Sequence, residues 1–200
     1  ISAFLVDMDA PGIGRTRFDD LGELAIGRGS IFFDNVRVPA GRLLGQEGAG
    51  FVQVMQGFDF SRALIGLQCL AAARVSLAET WRYISERKTF GRPLADNQGV
   101  TFPLAELETQ VEAARLLCYR TLAAKDAGIP HTREAAMCKW WAPKLAFEAV
   151  QQCLLLHGHA GYSTELPFEQ RLRDVLGLQI GDGTAQIMKL IIARETLRAL

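Results

Sequence analysis

The chain has 200 residues, and its 22 Lys and Arg balance its 22 Asp and Glu, so the formal net charge is zero. This length suffices for one or two domains with a substantial core, and the charge balance gives no basis for binding nucleic acid or an anionic membrane. The longest apolar runs, such as 187–193, are interrupted by charges, and we expect no membrane span. No signal peptide is visible, and because the sequence begins within an apolar run rather than at Met, we expect a preceding part of the protein.

The first 47 residues contain short β-type runs between turn residues. "SAFLVD" predicts one strand, and "GSIFFDNVRVP" predicts another that ends at Pro39. The Gly-rich stretch "LLGQEGAGF" joins this region to the rest of the chain. We interpret residues 1–47 as the C-terminal part of a β-domain and residues 48–200 as a separate helical domain.

The remaining residues predict long helices. Residues 50–88 form an apolar segment of about 55 Å if helical throughout, and "ERKTFGRPLADNQG" ends it. A second helix is predicted over 102–125, and Gly128 and Pro130 end it. Its apolar stripe at helical spacing consists of Leu104, Leu107, Val111, Ala114 and Cys118.

A third helix is predicted over 132–156, and Pro143 should kink it or remove one backbone hydrogen bond. A short helix over 168–175 and a last helix from Thr184 follow. The predicted fold is mainly α, an antiparallel bundle of four or five helices. Two helices are apolar nearly all round, which favours packing between subunits as well as within one.

The cysteines are widely spaced, and each lies within a predicted helix. Their spacing matches no metal motif, so we expect buried, reduced thiols without a disulfide framework. This usage is typical of a reducing compartment, either a bacterial cytoplasm or a mitochondrial matrix. The cysteines concerned are Cys69, Cys118, Cys138 and Cys153.

Polar residues within the first predicted helix and between the helices have structural as well as functional interpretations. Asp59 and Arg62 of "DFSR" have the i,i+3 spacing of a helix ion pair. In "RKTFG", the guanidinium of Arg87 could donate two hydrogen bonds to a phosphate, and the Phe90 side chain could pack on a planar ring. The alternative interpretation is that the basic residues of this stretch stabilise a helix C-terminus. "HGHAGY" holds two of the three histidines without further ligands at a useful spacing, so it predicts a polar turn and no metal site.

The stretch "GDGT" places Asp182 just before the last helix. Asp is a favoured helix N-cap, so a capped turn is one interpretation. A carboxylate at the edge of a pocket is the other.

Taken in order, five stretches resemble the C-terminal half of acyl-CoA dehydrogenases, which are FAD enzymes. The stretches are "FFDNVRVPAGRLLGQEGAGF", "DFSR", "RKTFGRPLADNQ", "HGHAGYSTELPFEQRLRD" and "GDGTAQI". The resemblance covers nearly the whole chain. It implies FAD as cofactor, an acyl-CoA substrate, an electron-transfer flavoprotein as electron acceptor, and a homotetramer built around the helical bundle.

The resemblance also implies roles for individual residues. The "RKTFG" stretch and Gln98 would reach the cofactor of a neighbouring subunit, which requires at least a dimer. Asp59 and Arg62 would line the entrance for CoA. In residues 155–161, Leu155 and His159 replace the family's Gln and second Gly, and the side-chain contact from that Gln is lost. The residues implied to bind the cofactor are Arg87, Thr89, Phe90, Gln98, Gly158, Gly183, Thr184 and Gln186.

Asp182 stands where the family usually has the Glu that removes the proton α to the thioester. The Asp is shorter by one carbon–carbon step of about 1.5 Å. Some family members carry the base at the position of Ser61 instead, and a serine cannot serve as that carboxylate. Asp182 is therefore the expected general base, and a branched or cyclic acyl group is the expected substrate. Two alternatives are an acyl-CoA oxidase and an inactive oligomerisation or scaffold module.

Overall fold

A computed structural model describes all 200 residues of the chain. The residues separate into two compact units, Ile1–Phe58 and Asp59–Leu200.

The first unit consists of short antiparallel strand pairs. Strand β1 (Ala3–Phe4) pairs with β4 (Leu43–Leu44), and β2 (Ile13–Arg17) pairs with β3 (Gly29–Phe33). Strands β1 and β3 lie within the two predicted strands. Strand β2 was not predicted, because its sequence "IGRTR" lacks the apolar alternation that indicates a half-buried strand.

The second unit is helical, which confirms the mainly α prediction. Helix α1 begins in the first unit and continues into the second. A two-stranded hairpin separates α1 from the next helix. The elements are α1 (Gly50–Glu86), β5 (Lys88–Thr89), β6 (Arg92–Pro93), α2 (Gln98–Asp126), α3 (Thr132–Leu156), α4 (Gly158–Tyr162), α5 (Phe168–Gly177) and α6 (Ala185–Arg198).

Two details differ from the sequence-based prediction. Helix α2 begins at Gln98 rather than at 102, because Asn97 takes the N-cap position and its carbonyl accepts from the Val100 and Thr101 amides. The short helix α4 lies within the predicted break "HGHAGYSTELP". Helix α3, in contrast, has the predicted bounds and contains Pro143, whose missing N–H does not end the helix.

The core is built where α1, α2 and α3 approach each other closely at Gly66. A Cβ atom there would lie 2.8 Å from the Cys118 Sγ and 3.3 Å from the Ala142 Cβ, so a larger residue would force the Cys118 side chain or a helix to move. All four cysteines are buried with free thiols, in line with the prediction. The fully buried apolar side chains all lie from Ala63 onward.

Helix α1 is long and apolar enough to cross a membrane by length and composition alone. In its most apolar window, 44% of the residues are buried inside the protein. A core helix of a bundle passes the same test, so this property is weak evidence for a membrane span.

Candidate active site

The candidate site centres on the loop of residues 178–184 between α5 and α6. Asp182 has a φ of 56°, in the left-handed region that few residues with a Cβ other than Asn and Asp adopt, and Gly183 follows with a φ of 109°. The interpretation of Asp182 as a helix cap is wrong, because Thr184 occupies the N-cap position of α6. The half-buried Asp182 side chain instead interacts with another helix.

Ser61 on α1 provides that interaction. Its hydroxyl donates a 2.9 Å hydrogen bond to the Asp182 Oδ2. The two residues are 121 positions apart in sequence, so the bond fixes one carboxylate oxygen relative to α1. A hydrogen bond to a charged acceptor is among the stronger ones in proteins.

Lys139 lies beneath the loop and is only 1% exposed. Its Nζ donates to the carbonyl oxygens of Leu178, at 2.7 Å, and Gly183, at 3.2 Å. Burial lowers the pKa of the Lys139 ammonium; the Arg62 charge also lowers it, whereas Cys69 and Asp182 oppose this shift. Lys139 was not predicted from the sequence as a site residue, although its place among the apolar core positions of α3 was an available signal.

Asp59 and Arg62 form the ion pair that their i,i+3 spacing suggests. The Arg62 Nη1 donates to the Asp59 Oδ1 at 2.9 Å, and the side chains are 6% and 15% exposed. The Thr132 hydroxyl donates to the other Asp59 oxygen at 2.5 Å. The pair therefore links α1 to the first residue of α3, next to Ser61.

The "RKTFG" stretch forms the tight hairpin of β5 and β6 after α1. Phe90 and Gly91 at its tip both have positive φ values, 51° and 83°, as a two-residue hairpin turn of the primed type requires. The Phe90 ring is completely exposed to solvent. Arg87 and Gln98 are also exposed, and Thr89 is half-buried.

Gly158 follows α3 with a positive φ of 60°, near the C-terminal end of α1. The adjacent His157 is buried and stacks on Tyr83 at a centroid distance of 4.1 Å, and its Nδ1 lies 2.9 Å from the Cys153 carbonyl oxygen. No group of three or more His, Cys, Asp or Glu side chains could hold a metal ion. The histidine is thus part of the packing between α1 and α3.

The predicted site residues fall into two separate groups. Gly183, Thr184 and Gln186 lie at the start of α6, near Asp182 and Ser61. The hairpin residues and Gly158 lie at the far end of α1. From Ser61 to Glu86, α1 extends about 37 Å at ~1.5 Å per residue. The two groups therefore do not line one small-molecule pocket of a single chain.

Known proteins of one family match most of the chain. The family model described as "Acyl-CoA dehydrogenase, C-terminal domain" matches residues 48–197. The chain belongs to the acyl-CoA dehydrogenase family.

Two relatives and one solved structure illustrate the similarity. The chain is 40% identical over 199 residues to cyclohexane-1-carbonyl-CoA dehydrogenase of Geobacter metallireducens, covering 99% of this chain and 52% of that protein. It is 38% identical to the mitochondrial short-chain specific acyl-CoA dehydrogenase of Mus musculus, covering 100% and 48%. Butyryl-CoA dehydrogenase from Megasphaera elsdenii matches with a TM-score of 0.92 and 32% identity, covering 98% and 51%. The chain thus spans about half the length of these relatives.

Proposed function

We propose that the protein is an FAD-dependent acyl-CoA dehydrogenase in which Asp182 is the general base. Asp182 takes the proton from the carbon α to the thioester, while a hydride leaves the β carbon and a carbon–carbon double bond forms between them. Bound FAD supplies the hydride acceptor. The observation that carries this proposal is the Asp182 carboxylate, which an unusual backbone conformation and the Ser61 hydroxyl orient at the edge of the bundle.

The residues present suit a flavin dinucleotide. An exposed guanidinium at Arg87 matches phosphate geometry, and the bare Phe90 ring can pack on a planar group. The N-terminus of α6 at Thr184 presents backbone amides suited to an anion, with Gly183 and Gln186 beside it. Thr89, Gln98 and Gly158 complete the set at the hairpin end.

The separation of these two groups supports an assembly of several subunits. One cofactor would contact the α6 end of one subunit and the hairpin end of its neighbour. We therefore propose a homo-oligomer, and a tetramer is typical of the family. An electron-transfer flavoprotein is the proposed electron acceptor. The relatives come from bacteria and from mitochondria, and we propose a bacterial cytoplasm or, alternatively, a mitochondrial matrix.

We propose that Asp59 and Arg62 line the route of CoA to Asp182. Their mutual ion pair and the Thr132 hydroxyl hold both side chains in fixed positions next to Ser61. A pre-formed charged pair loses little side-chain freedom when a substrate binds.

A branched or cyclic acyl group is the proposed substrate. The Asp182 carboxylate ends about 1.5 Å short of where a glutamate would reach, so the α carbon must lie closer to the loop. A displacement of about 1 Å can cost a hundredfold in rate, so a straight chain placed for a longer base would react slowly. The similarity to a protein named cyclohexane-1-carbonyl-CoA dehydrogenase supports this choice.

The test is Asp182→Asn in the complete protein purified with its flavin. Turnover of cyclohexanecarboxyl-CoA and of butyryl-CoA is followed with an artificial electron acceptor, with flavin absorbance as the measure of intact protein. Loss of a general base predicts a fall in kcat of about 10²- to 10⁴-fold. Asp126→Asn, at the exposed end of α2, is the matched control and should retain full turnover.

Unchanged turnover in Asp182→Asn would refute Asp182 as the base, and a wild-type protein inactive on every acyl-CoA would favour the scaffold alternative. Rapid oxygen consumption by the reduced enzyme would favour an oxidase. Faster turnover of butyryl-CoA would refute the cyclic substrate.

A further inference from the structure

Lys139 is a fully buried cation whose hydrogen bonds go to backbone carbonyls. Its Nζ donates to the Leu178 and Gly183 carbonyls. Burying an ammonium group is costly, and a methionine would fill a similar volume without a charge. Simple filling of the core therefore does not account for a lysine at this position.

The two carbonyls that Lys139 joins lie on either side of Asp182. Leu178 is the C-cap residue of α5, and its carbonyl belongs to the negative end of that helix, where a cation is favourable. Gly183 directly follows Asp182, so its carbonyl is the second peptide group after the Asp182 Cα. One donor thus connects the start of the loop to the residue after the carboxylate.

Aspartate adopts a left-handed φ more readily than most residues with a Cβ, but interactions from the rest of the fold are still needed to hold Asp182 in this single conformation. The Ser61 hydroxyl fixes the end of the side chain, whereas Lys139 fixes the backbone from which it starts. Both are needed to define where the carboxylate oxygens lie.

We propose that Lys139 is a positioning residue that closes the 178–183 loop through two carbonyls and thereby directs the Asp182 carboxylate toward the substrate. The inference rests on the proposed role of Asp182 as the base. Lys139 does not touch the reacting atoms in this proposal. Its removal should therefore affect the rate of proton abstraction more than substrate or flavin binding.

The test compares Lys139→Met with Lys144→Met in the complete holoenzyme. Lys144 lies on the same helix, and its ion pair with Glu148 is exposed to solvent. For Lys139→Met we expect kcat per bound flavin to fall about 30- to 100-fold, as for a carboxylate displaced by about 1 Å. The KM should change less than about twofold, since the binding contacts remain. Lys144→Met should match the wild type.

Hydrogen exchange measured by mass spectrometry provides a readout independent of activity. Amides of residues 178–184 should exchange faster in Lys139→Met, while those in the middle of α3 should stay protected. Lys139→Gln, which retains a shorter donor, is measured alongside so that a second variant is available. If neither variant folds, Lys139 serves folding and the positioning proposal is rejected.

The outcomes separate this inference from the proposed function. A large loss in Asp182→Asn with normal kcat in Lys139→Met rejects the inference alone. Faster loop exchange without loss of kcat also rejects it. A wild-type protein inactive on acyl-CoAs rejects both. Loss of kcat together with faster exchange confined to the loop supports the inference.

Discussion

The crossing of α1, α2 and α3 and the loop of residues 178–184 are stabilised by different kinds of interaction. At the crossing, small residues such as Gly66 and Ala142 let the helices approach closely, and the contacts are almost entirely apolar. At the loop, Ser61 and Lys139 reach from two of the same helices and donate hydrogen bonds. The difference indicates that the bundle provides both its own stability and a rigid frame for a strained loop.

Because the two regions are stabilised differently, we expect substitutions in them to affect different properties of the protein. Substitutions at the crossing should lower the free energy of unfolding and leave the rate of the remaining folded enzyme intact. Substitutions around the loop should lower the rate and change stability little.

Leu145→Ala tests the crossing. Leu145 is 1% exposed within the core, so the substitution should cost about 2–5 kcal/mol through lost burial and a cavity. Urea unfolding of the complete protein measures the shift, and kcat per bound flavin should stay within about twofold of the wild-type value.

Leu116→Ala is the matched control, because Leu116 on α2 is 59% exposed and should cost less than about 0.5 kcal/mol. A fall in kcat of Leu145→Ala as large as that of a loop variant would contradict the separation of the two regions.

Ser61→Ala tests the loop from the side of α1. The substitution removes the donor to the Asp182 Oδ2, a hydrogen bond to a charged group that contributes about 1.5 kcal/mol. We expect kcat to fall about tenfold if that energy is used to orient the base. Ser61→Thr keeps a hydroxyl and should recover most of the rate. Equal rates in the alanine and threonine variants would show that the hydroxyl has no part in orienting Asp182.

Glu79→Gln tests the connection between α1 and α5. Arg171 on α5 donates to both Glu79 oxygens, at 2.5 and 3.0 Å, and this hydrogen bonding lowers the pKa of Glu79 below its ordinary 4.5. A carboxylate with a lowered pKa stabilises the folded state above its unfolded pKa, and this contribution disappears as the pH falls through the folded pKa. The side chain is 38% exposed, so solvent screening limits the effect to under about 1 kcal/mol.

Thermal unfolding of the wild type and of Glu79→Gln at pH 7 and pH 3.5 measures this effect. The difference between the two proteins should be larger at pH 7 and shrink toward pH 3.5. A stability difference independent of pH would show that the Glu79 charge contributes nothing to the contact. At each pH, kcat of Glu79→Gln should equal that of the wild type.

The sequence predicted the helices well where apolar residues recur at helical spacing. The stripe of α2 is an example, since Val111, Ala114 and Cys118 are all buried. The start of α2 was placed too late, because Gly99 and Pro103 discourage a helix locally while the Asn97 cap permits one. Strand β2 was missed because its stability depends on its partner β3 rather than on its own pattern.

The candidate site also has parts that could be predicted from the sequence and parts that could not. The motifs around Asp59, Arg87 and Asp182 were recognisable in the sequence as ordered stretches typical of one family. The hydrogen bond from Ser61 to Asp182 joins residues 121 positions apart in the sequence. The hydrogen bond from Lys139 to the Gly183 carbonyl joins residues 44 positions apart. No local pattern encodes such pairs, because the packing of α1 and α3 against the loop creates them.

Periodicity and short motifs are local properties of the chain, so the sequence alone was enough to predict the helical class, the approximate bounds of the long helices and the family. The folded structure was needed to show that Thr184 rather than Asp182 occupies the N-cap position of α6, that Ser61 donates to the Asp182 carboxylate, and that the buried Lys139 closes the loop. These features join residues far apart in the sequence, because a buried charge and an uncommon backbone conformation are stabilised by hydrogen bonds that only the packed helices bring together.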